Sequence, residues 1–157
     1  MLRPGWAMTV NMRKKRIMII GPGGSGKTSL ANAINGTGGP LRKTQDTIYG
    51  KHTLDVPGSY LENPWMYMHM ISLAQDASHL LILVDQSRCI DKYSPNLALA
   101  FRIPVIGVIT KCDLNPENEE KCRALLKKVG VEEPYFKVSI PKGIGIEELK
   151  AFLFKEN

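Results

Sequence analysis

Hydrophobic positions along the chain fall into short, nearly unbroken runs separated by polar stretches. Ile17-Met18-Ile19-Ile20, Leu80-Leu81-Ile82-Leu83-Val84 and Val105-Ile106-Gly107-Val108-Ile109 carry almost no polar interruption. Runs this short without alternation are what a strand buried on both faces requires, since both sets of its side chains leave water. Between them the pattern turns helical over residues 27–35, 64–74, 95–101 and 116–129. A last strand is predicted over 135–139 and a terminal helix over 146–154. Alternating strand and helix predicts an α/β fold: a mostly parallel six-stranded sheet covered by helices on both faces, in three layers.

Local signals sharpen the boundaries. Asn63-Pro64 reads as an N-cap with proline at the first helical position. Tyr49-Gly50-Lys51-His52 reads as a tight hairpin joining a short edge strand to a strand over 52–56. There is no internal repeat, low-complexity tract or linker in the 157 residues, which suits one domain over 15–157 behind an extension over 1–14.

Charge and cysteine content narrow the class. The net charge of +6 raises nucleic acid or an anionic membrane as partners. Its basic residues are scattered apart from Arg13-Lys14-Lys15-Arg16, which flanks an apolar strand, and no base-stacking motif accompanies them. No nucleic-acid partner is therefore expected. Three cysteines, Cys89, Cys112 and Cys122, form an odd set without metal spacing and suggest free thiols in a cytoplasmic protein. No apolar run is long enough to span a bilayer; Leu2 excludes myristoylation and the C-terminal residues are not a prenylation box, so no membrane anchor is expected. His52, His69 and His79 lack metal spacing and read as structural, and Met66, Met68 and Met70 read chiefly as core.

The chemistry concentrates at the carboxyl ends of the predicted strands. Gly21-Pro22-Gly23-Gly24-Ser25-Gly26-Lys27-Thr28 fits G-x-x-x-x-G-K-[ST] between a buried strand and a helix. Its backbone N–H groups turn inward around phosphates, and the following helix N-terminus favours negative charge. Lys27 is then the β/γ-phosphate ligand and Thr28 a Mg²⁺ ligand, with Ser29 beside them. Asp55-Val56-Pro57-Gly58 follows in order: Asp55 at a strand end holds Mg²⁺ through water, and Gly58 offers its N–H to the γ-phosphate. In Thr110-Lys111-Cys112-Asp113 the carboxylate accepts from guanine N1–H and the exocyclic amine, while the Lys111 stem covers the base. Adenine lacks the N1–H, so a buried acceptor facing it loses a partner, which penalises ATP. Ser139, at the last strand end, places backbone N–H groups beyond it, from Ile140 onward, near guanine O6.

This ordered set resembles the small Ras-like GTPases. More narrowly, Lys43-Thr44-Gln45, the segment Asp55-Val56-Pro57-Gly58-Ser59-Tyr60-Leu61-Glu62-Asn63 and Pro104-Val105-Ile106-Gly107-Val108-Ile109-Thr110-Lys111 resemble the EutP/PduV family. These GTPase-like proteins are encoded with bacterial ethanolamine and propanediol utilisation microcompartments. The resemblance implies a P-loop GTPase-like fold and a cytoplasmic protein that can associate with a microcompartment shell or enzyme. It implies Thr44 as the switch threonine that senses Mg²⁺ and γ-phosphate, with Thr37 and Thr47 as competitors. Ser59 stands where efficient GTPases carry a water-orienting glutamine, Thr110 replaces the commoner asparagine, and Ile140 replaces a small residue. Slow GTP hydrolysis with Mg²⁺ is the expectation, with Arg42, two residues before Thr44, as a candidate cis arginine for catalysis. Phosphoryl transfer from ATP to a small carboxylate such as acetate, or a non-hydrolysing structural switch, are the alternatives.

Overall fold

The computed structural model describes residues 15–36, 48–49 and 52–155. Arg42, Thr44, Thr37, Thr47, Gly50, Lys51 and the extension over 1–14 lie outside them. Six strands form one sheet: β1 (Arg16–Ile20), β2 (Ile48–Tyr49), β3 (Thr53–Asp55), β4 (Ala77–Asp85), β5 (Val105–Thr110) and β6 (Phe136–Lys137), in the order β2-β3-β1-β4-β5-β6. All pairings are parallel except β2 with β3, so the expected mostly parallel six-stranded sheet is formed by five parallel strands and one antiparallel edge. At that edge Tyr49 pairs with Leu54, and the turn expected at Gly50-Lys51 lies outside the described residues.

Neighbouring side chains of one strand feed two separate cores, which is why the central runs are apolar throughout. Ile17 and Ile19 join the core made with helices α1 (Lys27–Asn35) and α4 (Ile146–Leu153), through Leu30, Ala31, Ile34, Leu149 and Leu153. Met18 and Ile20 join the core made with α2 (Tyr67–Ala74) and α3 (Glu119–Val129), through Met70, Ala74, Cys122, Leu125 and Leu126. Each such aliphatic side chain fully removed from water contributes about 1.5–3 kcal/mol. Gly107 leaves room that these cores use: a Cβ there would sit 2.9 Å from both Leu126 and Tyr135.

Three helical stretches differ from expectation, one of them only at its start, where Pro116–Asn118 forms a 3₁₀ turn before α3. The stretch over 95–101 forms only a 3₁₀ turn, Leu97–Ala100. Asn96 takes a left-handed conformation (φ 60°) and donates its N–H to Lys128 O, so no α-helix propagates from Pro95. The stretch from Pro64 starts as a 3₁₀ turn, Pro64–Met66, before α2, with the proline first as expected. Asn63 does not cap it: its side-chain amide donates to Ser59 O instead. The methionines of this region divide, with Met70 buried, Met66 half-buried and Met68 exposed. All three cysteines are free thiols.

Candidate functional site

The turn between β1 and α1 owes its shape to glycine. Gly24 and Gly26 sit at φ 79° and 96°, where a side chain would be strained, and Ser25 N–H closes on Pro22 O at 3.1 Å. Gly21 has a different reason, since a Cβ there would press on Ser25 Oγ. Lys27, first residue of α1, folds back so that its ammonium donates to Gly21 O (2.9 Å) and Pro22 O (3.2 Å). That occupies two of its three donors. Burial holds its pKa below the usual lysine range, partly countered by the charge of Asp55.

Asp55 closes β3, beside Ile19 of β1 in the parallel register. Burial pushes its pKa up to about 6, against the attraction of Lys27. Its Oδ1 is buried and has no hydrogen-bond partner, as are Ser25 Oγ and Ser139 Oγ. A buried carboxylate oxygen without a donor is a poor resting arrangement and a good one for a hard, oxygen-seeking cation. The donor set of Asp55 with the Thr28 hydroxyl at the start of α1 therefore fits Mg²⁺. Gly58 presses directly on the phosphate loop: a Cβ on it would lie 2.7 Å from Gly23 N and 3.1 Å from Gly21 O. The second motif thus reaches the first with no room for a side chain between them.

The third motif is tied to the first by two hydrogen bonds. Thr110 Oγ1 donates to Ser25 O at 2.6 Å, and Lys111 Nζ donates to Gly24 O at 2.8 Å. Lys111 takes a left-handed backbone conformation (φ 55°), turning the chain sharply at the end of β5. A groove of about 300 Å³ opens here, lined by Gly26, Ser29, Thr110, Lys111, Asp113 and Ile140 among others. Asp113 is exposed at its mouth, and Pro141, also on its wall, has no N–H to offer a ligand. Ser139 itself is buried and its N–H is taken by Ile144 O at 3.0 Å, so beyond it Ile140 is the residue of that wall with a backbone N–H to offer.

Sequence reasoning missed the loop after β4. Asp85, buried at the strand end, accepts from Ser87 N–H (2.8 Å), Ser87 Oγ (2.5 Å) and Lys111 Nζ (2.9 Å). Burial alone would raise its pKa, but the hydrogen bonds from Ser87 and Lys111 outweigh burial and hold it below the ordinary value. Gln86 donates to Cys112 O (3.0 Å) and Leu114 O (2.9 Å), and Asn118 and Asn115 return bonds to Gln86 O and Ser87 O. A carboxylate directly after a run as apolar as Leu80–Val84 was the available signal, by the strand-end rule that located Asp55 and Asp113. A second cavity, of about 330 Å³, lies across the phosphate loop, lined by Pro22, Gly23, Gly58, Ser59, Glu62, Ile90 and Lys92. Lys92 and Glu62 form an ion pair in its wall at 2.9 Å.

Comparison with known proteins agrees with this geometry. Residues 14–155 match the family described as "Ethanolamine utilisation - propanediol utilisation", PduV-EutP. The chain is 33% identical to the propanediol utilization protein PduV of Citrobacter freundii, over 88% of this chain and 93% of that one. It is 32% identical to the probable acetate kinase EutP of Escherichia coli K12, over 88% and 89% of the two chains. Among solved structures it resembles translation elongation factor SelB of Methanococcus maripaludis, in complex with the GTP analogue GppNHp. There the TM-score is 0.64 at 21% identity, covering 90% of this chain and 33% of that longer one, so the likeness is one of fold.

Proposed function

The chain belongs to the PduV-EutP family of ethanolamine and propanediol utilisation proteins, and on that premise we propose that it binds GTP with Mg²⁺ and hydrolyses it slowly, as a switch or assembly factor for a catabolic microcompartment. The observation that carries the reading is the joining of the loops after β1 and β5 through Thr110–Ser25 and Lys111–Gly24, which suits a purine groove beside a phosphate cradle at the carboxyl ends of those strands. Backbone N–H groups of residues 23, 24 and 26–28 hold the phosphates, and Lys27 turns its ammonium from Gly21 O and Pro22 O toward the β- and γ-oxygens. Ligand charge also relieves both buried groups: an anion suits Lys27 and a cation suits Asp55. Thr28 and Asp55 hold the Mg²⁺, with Thr44 as the switch threonine; bound Mg²⁺ neutralises charge on the transferring phosphoryl group. Gly58 offers its N–H to the γ-phosphate. Asp113 reads the guanine edge, the Lys111 stem covers the base, and Ile140 supplies a backbone donor for O6. Ser59, exposed beside Gly58, is too short to orient water as a glutamine does, which supports slow turnover.

One observation favours a second reading. The cavity of about 330 Å³ bordered by Gly23, Gly58 and the Lys92–Glu62 ion pair has room for a small carboxylate acceptor that would compete with Glu62 for the lysine, which suits phosphoryl transfer of the kind named for the relative EutP. Titration calorimetry with GTP and ATP, with Mg²⁺ and with EDTA, followed by turnover with and without acetate, separates the readings. Mg²⁺-dependent binding that prefers GTP, and turnover indifferent to acetate, supports the GTPase. Acetyl phosphate formed from ATP supports the kinase, and absence of triphosphate binding overturns both.

A further inference from the structure

Arg88 stands in the loop after β4, in a position no sequence motif marks. Its backbone is firmly placed. Cys89 N–H bonds to Asp85 O at 2.7 Å and Arg88 N–H to the same oxygen at 3.3 Å, while the preceding Gln86 and Ser87 are held from both sides by the β5 loop. Its guanidinium is held loosely by comparison. Nη2 reaches Gly23 O at 3.4 Å, Nε lies 3.6 Å from Asp85 Oδ2, and half of the side chain is exposed. The head group lies over the phosphate loop itself: Nη2 is 2.7 Å from the point where a Cβ on Gly24 would stand. Glycine at 24 therefore leaves the space that the arginine fills.

Such an arrangement, a rigid root with a weakly tethered, half-exposed cation next to Gly23 and Gly24, is cheap to redirect. The long contact to a neutral carbonyl forgoes most of what a charge-assisted bond to a phosphate oxygen offers. Resting on the nucleotide-binding reading above, we infer that Arg88 is a cis-acting arginine, whose guanidinium leaves Gly23 O to bind the non-bridging and bridging phosphate oxygens as negative charge builds on them during γ-phosphoryl transfer. The transferred group passes from the β–γ bridging oxygen to water, whose proton is released to solvent, or to a carboxylate oxygen, which carries none; the leaving diphosphate keeps the electron pair, and Arg88 donates hydrogen bonds throughout without giving up a proton. Asp85 is the pivot, since its Oδ2 faces both Arg88 and Lys111 and keeps the root of the arm in register with the base loop.

The test compares wild type, Arg88→Ala and Arg88→Lys in binding GDP and ADP, each with Mg²⁺ and with or without aluminium fluoride, together with thermal unfolding and single-turnover hydrolysis. Wild type is expected to gain affinity for the diphosphate when aluminium fluoride completes a transition-state mimic. Arg88→Ala is expected to lose at least about 10-fold of that gain while plain diphosphate affinity changes less than about 3-fold, and to slow turnover by roughly 10²-fold or more, toward the range of arginine fingers. Arg88→Lys, with charge but no planar fork, recovers part of the loss. Equal aluminium fluoride gain and equal rate in wild type and Arg88→Ala overturn the inference alone. A parallel fall in plain diphosphate affinity and melting temperature overturns it in favour of a structural brace. Wild type that binds no nucleotide overturns the nucleotide reading and this inference together.

Discussion

The buried carboxylate of Asp85 holds the Lys111 ammonium at 2.9 Å, and the same ammonium donates to Gly24 O at 2.8 Å, so one lysine ties three loops into a single site. Asp85→Ala leaves Lys111 and the Ser87 N–H without their acceptor. A loss of about 1–3 kcal/mol is expected, below the figure for fully buried pairs because Lys111 is one-third exposed. The hydrogen bonds to Asp85 hold its pKa below the ordinary value near 3.8, so this stabilisation is complete at neutral pH and fades only as pH falls below that value. Urea unfolding at pH 7 and pH 3 should show a large difference between wild type and variant at the first and a smaller one at the second.

Lys27→Ala removes the charge proposed to meet the β- and γ-oxygens while the glycine-built backbone remains. Triphosphate binding should weaken by roughly 2–5 kcal/mol, as when one member of a desolvated charge pair is deleted. Calorimetry that finds equal affinity would refute the phosphate-cradle assignment.

Asp55 carries a pH signature. Its pKa is raised from 3.8 to about 6 by burial, so the folded protein binds this proton more tightly than the unfolded chain does. Stability of the ligand-free protein should therefore fall as pH rises from about 4 to about 6, and level off above. Asp55→Asn, an amide of the same shape, should raise the melting temperature at pH 7.5 by about 2–4 °C, roughly 1 kcal/mol for a chain of this size, and by much less at pH 4.5. Mg²⁺ affinity in the presence of nucleotide should run the other way, strengthening through the same window as the carboxylate ionises, and be lost in the variant.

Guanine selection tests Asp113. Asp113→Asn should weaken GTP and shift preference toward xanthosine triphosphate, whose N1–H and O2 suit an amide. Competition of each nucleotide against a fluorescent GTP analogue reads the order. ATP matching or beating GTP on wild type would remove the base assignment and favour the kinase reading.

Gly58→Ala tests the contact between the second motif and the phosphate loop. The added methyl meets backbone, not a flexible side chain, at 2.7 Å from Gly23 N, so the two segments must separate. A loss of about 1–3 kcal/mol in stability is expected from overpacking. Triphosphate affinity should fall more than diphosphate affinity if the displaced N–H serves the γ-phosphate as proposed; equal losses for both would place Gly58 outside the γ-phosphate contact.

Much of this protein could be read from residue order because the relevant physics is local. The runs at Ile17, Leu80 and Val105 announced strands buried on both faces, and the sheet confirmed that by sending alternate residues to two cores. The phosphate loop was readable because glycine, lysine and threonine at fixed spacing dictate their own turn and donors. The expected helix over 95–101 failed for a reason outside that window, the bond from Asn96 N–H to Lys128 O across the fold. Asp85 carried a strand-end signal that went unused, but the parts it plays with Gln86 and Arg88 are hidden for the same reason. Their roles exist only because β4 and β5 pair in parallel with Asp85 opposite Thr110, which sets Lys111 beside Asp85 and Arg88 over Gly23. The sequence alone determined where the glycine-rich turn between β1 and α1 lies along the chain, since a contiguous turn carries its own instructions. Only the tertiary structure decided which side chains from distant strands surround that turn, since strand register is a property of pairing between segments and is not written in either one.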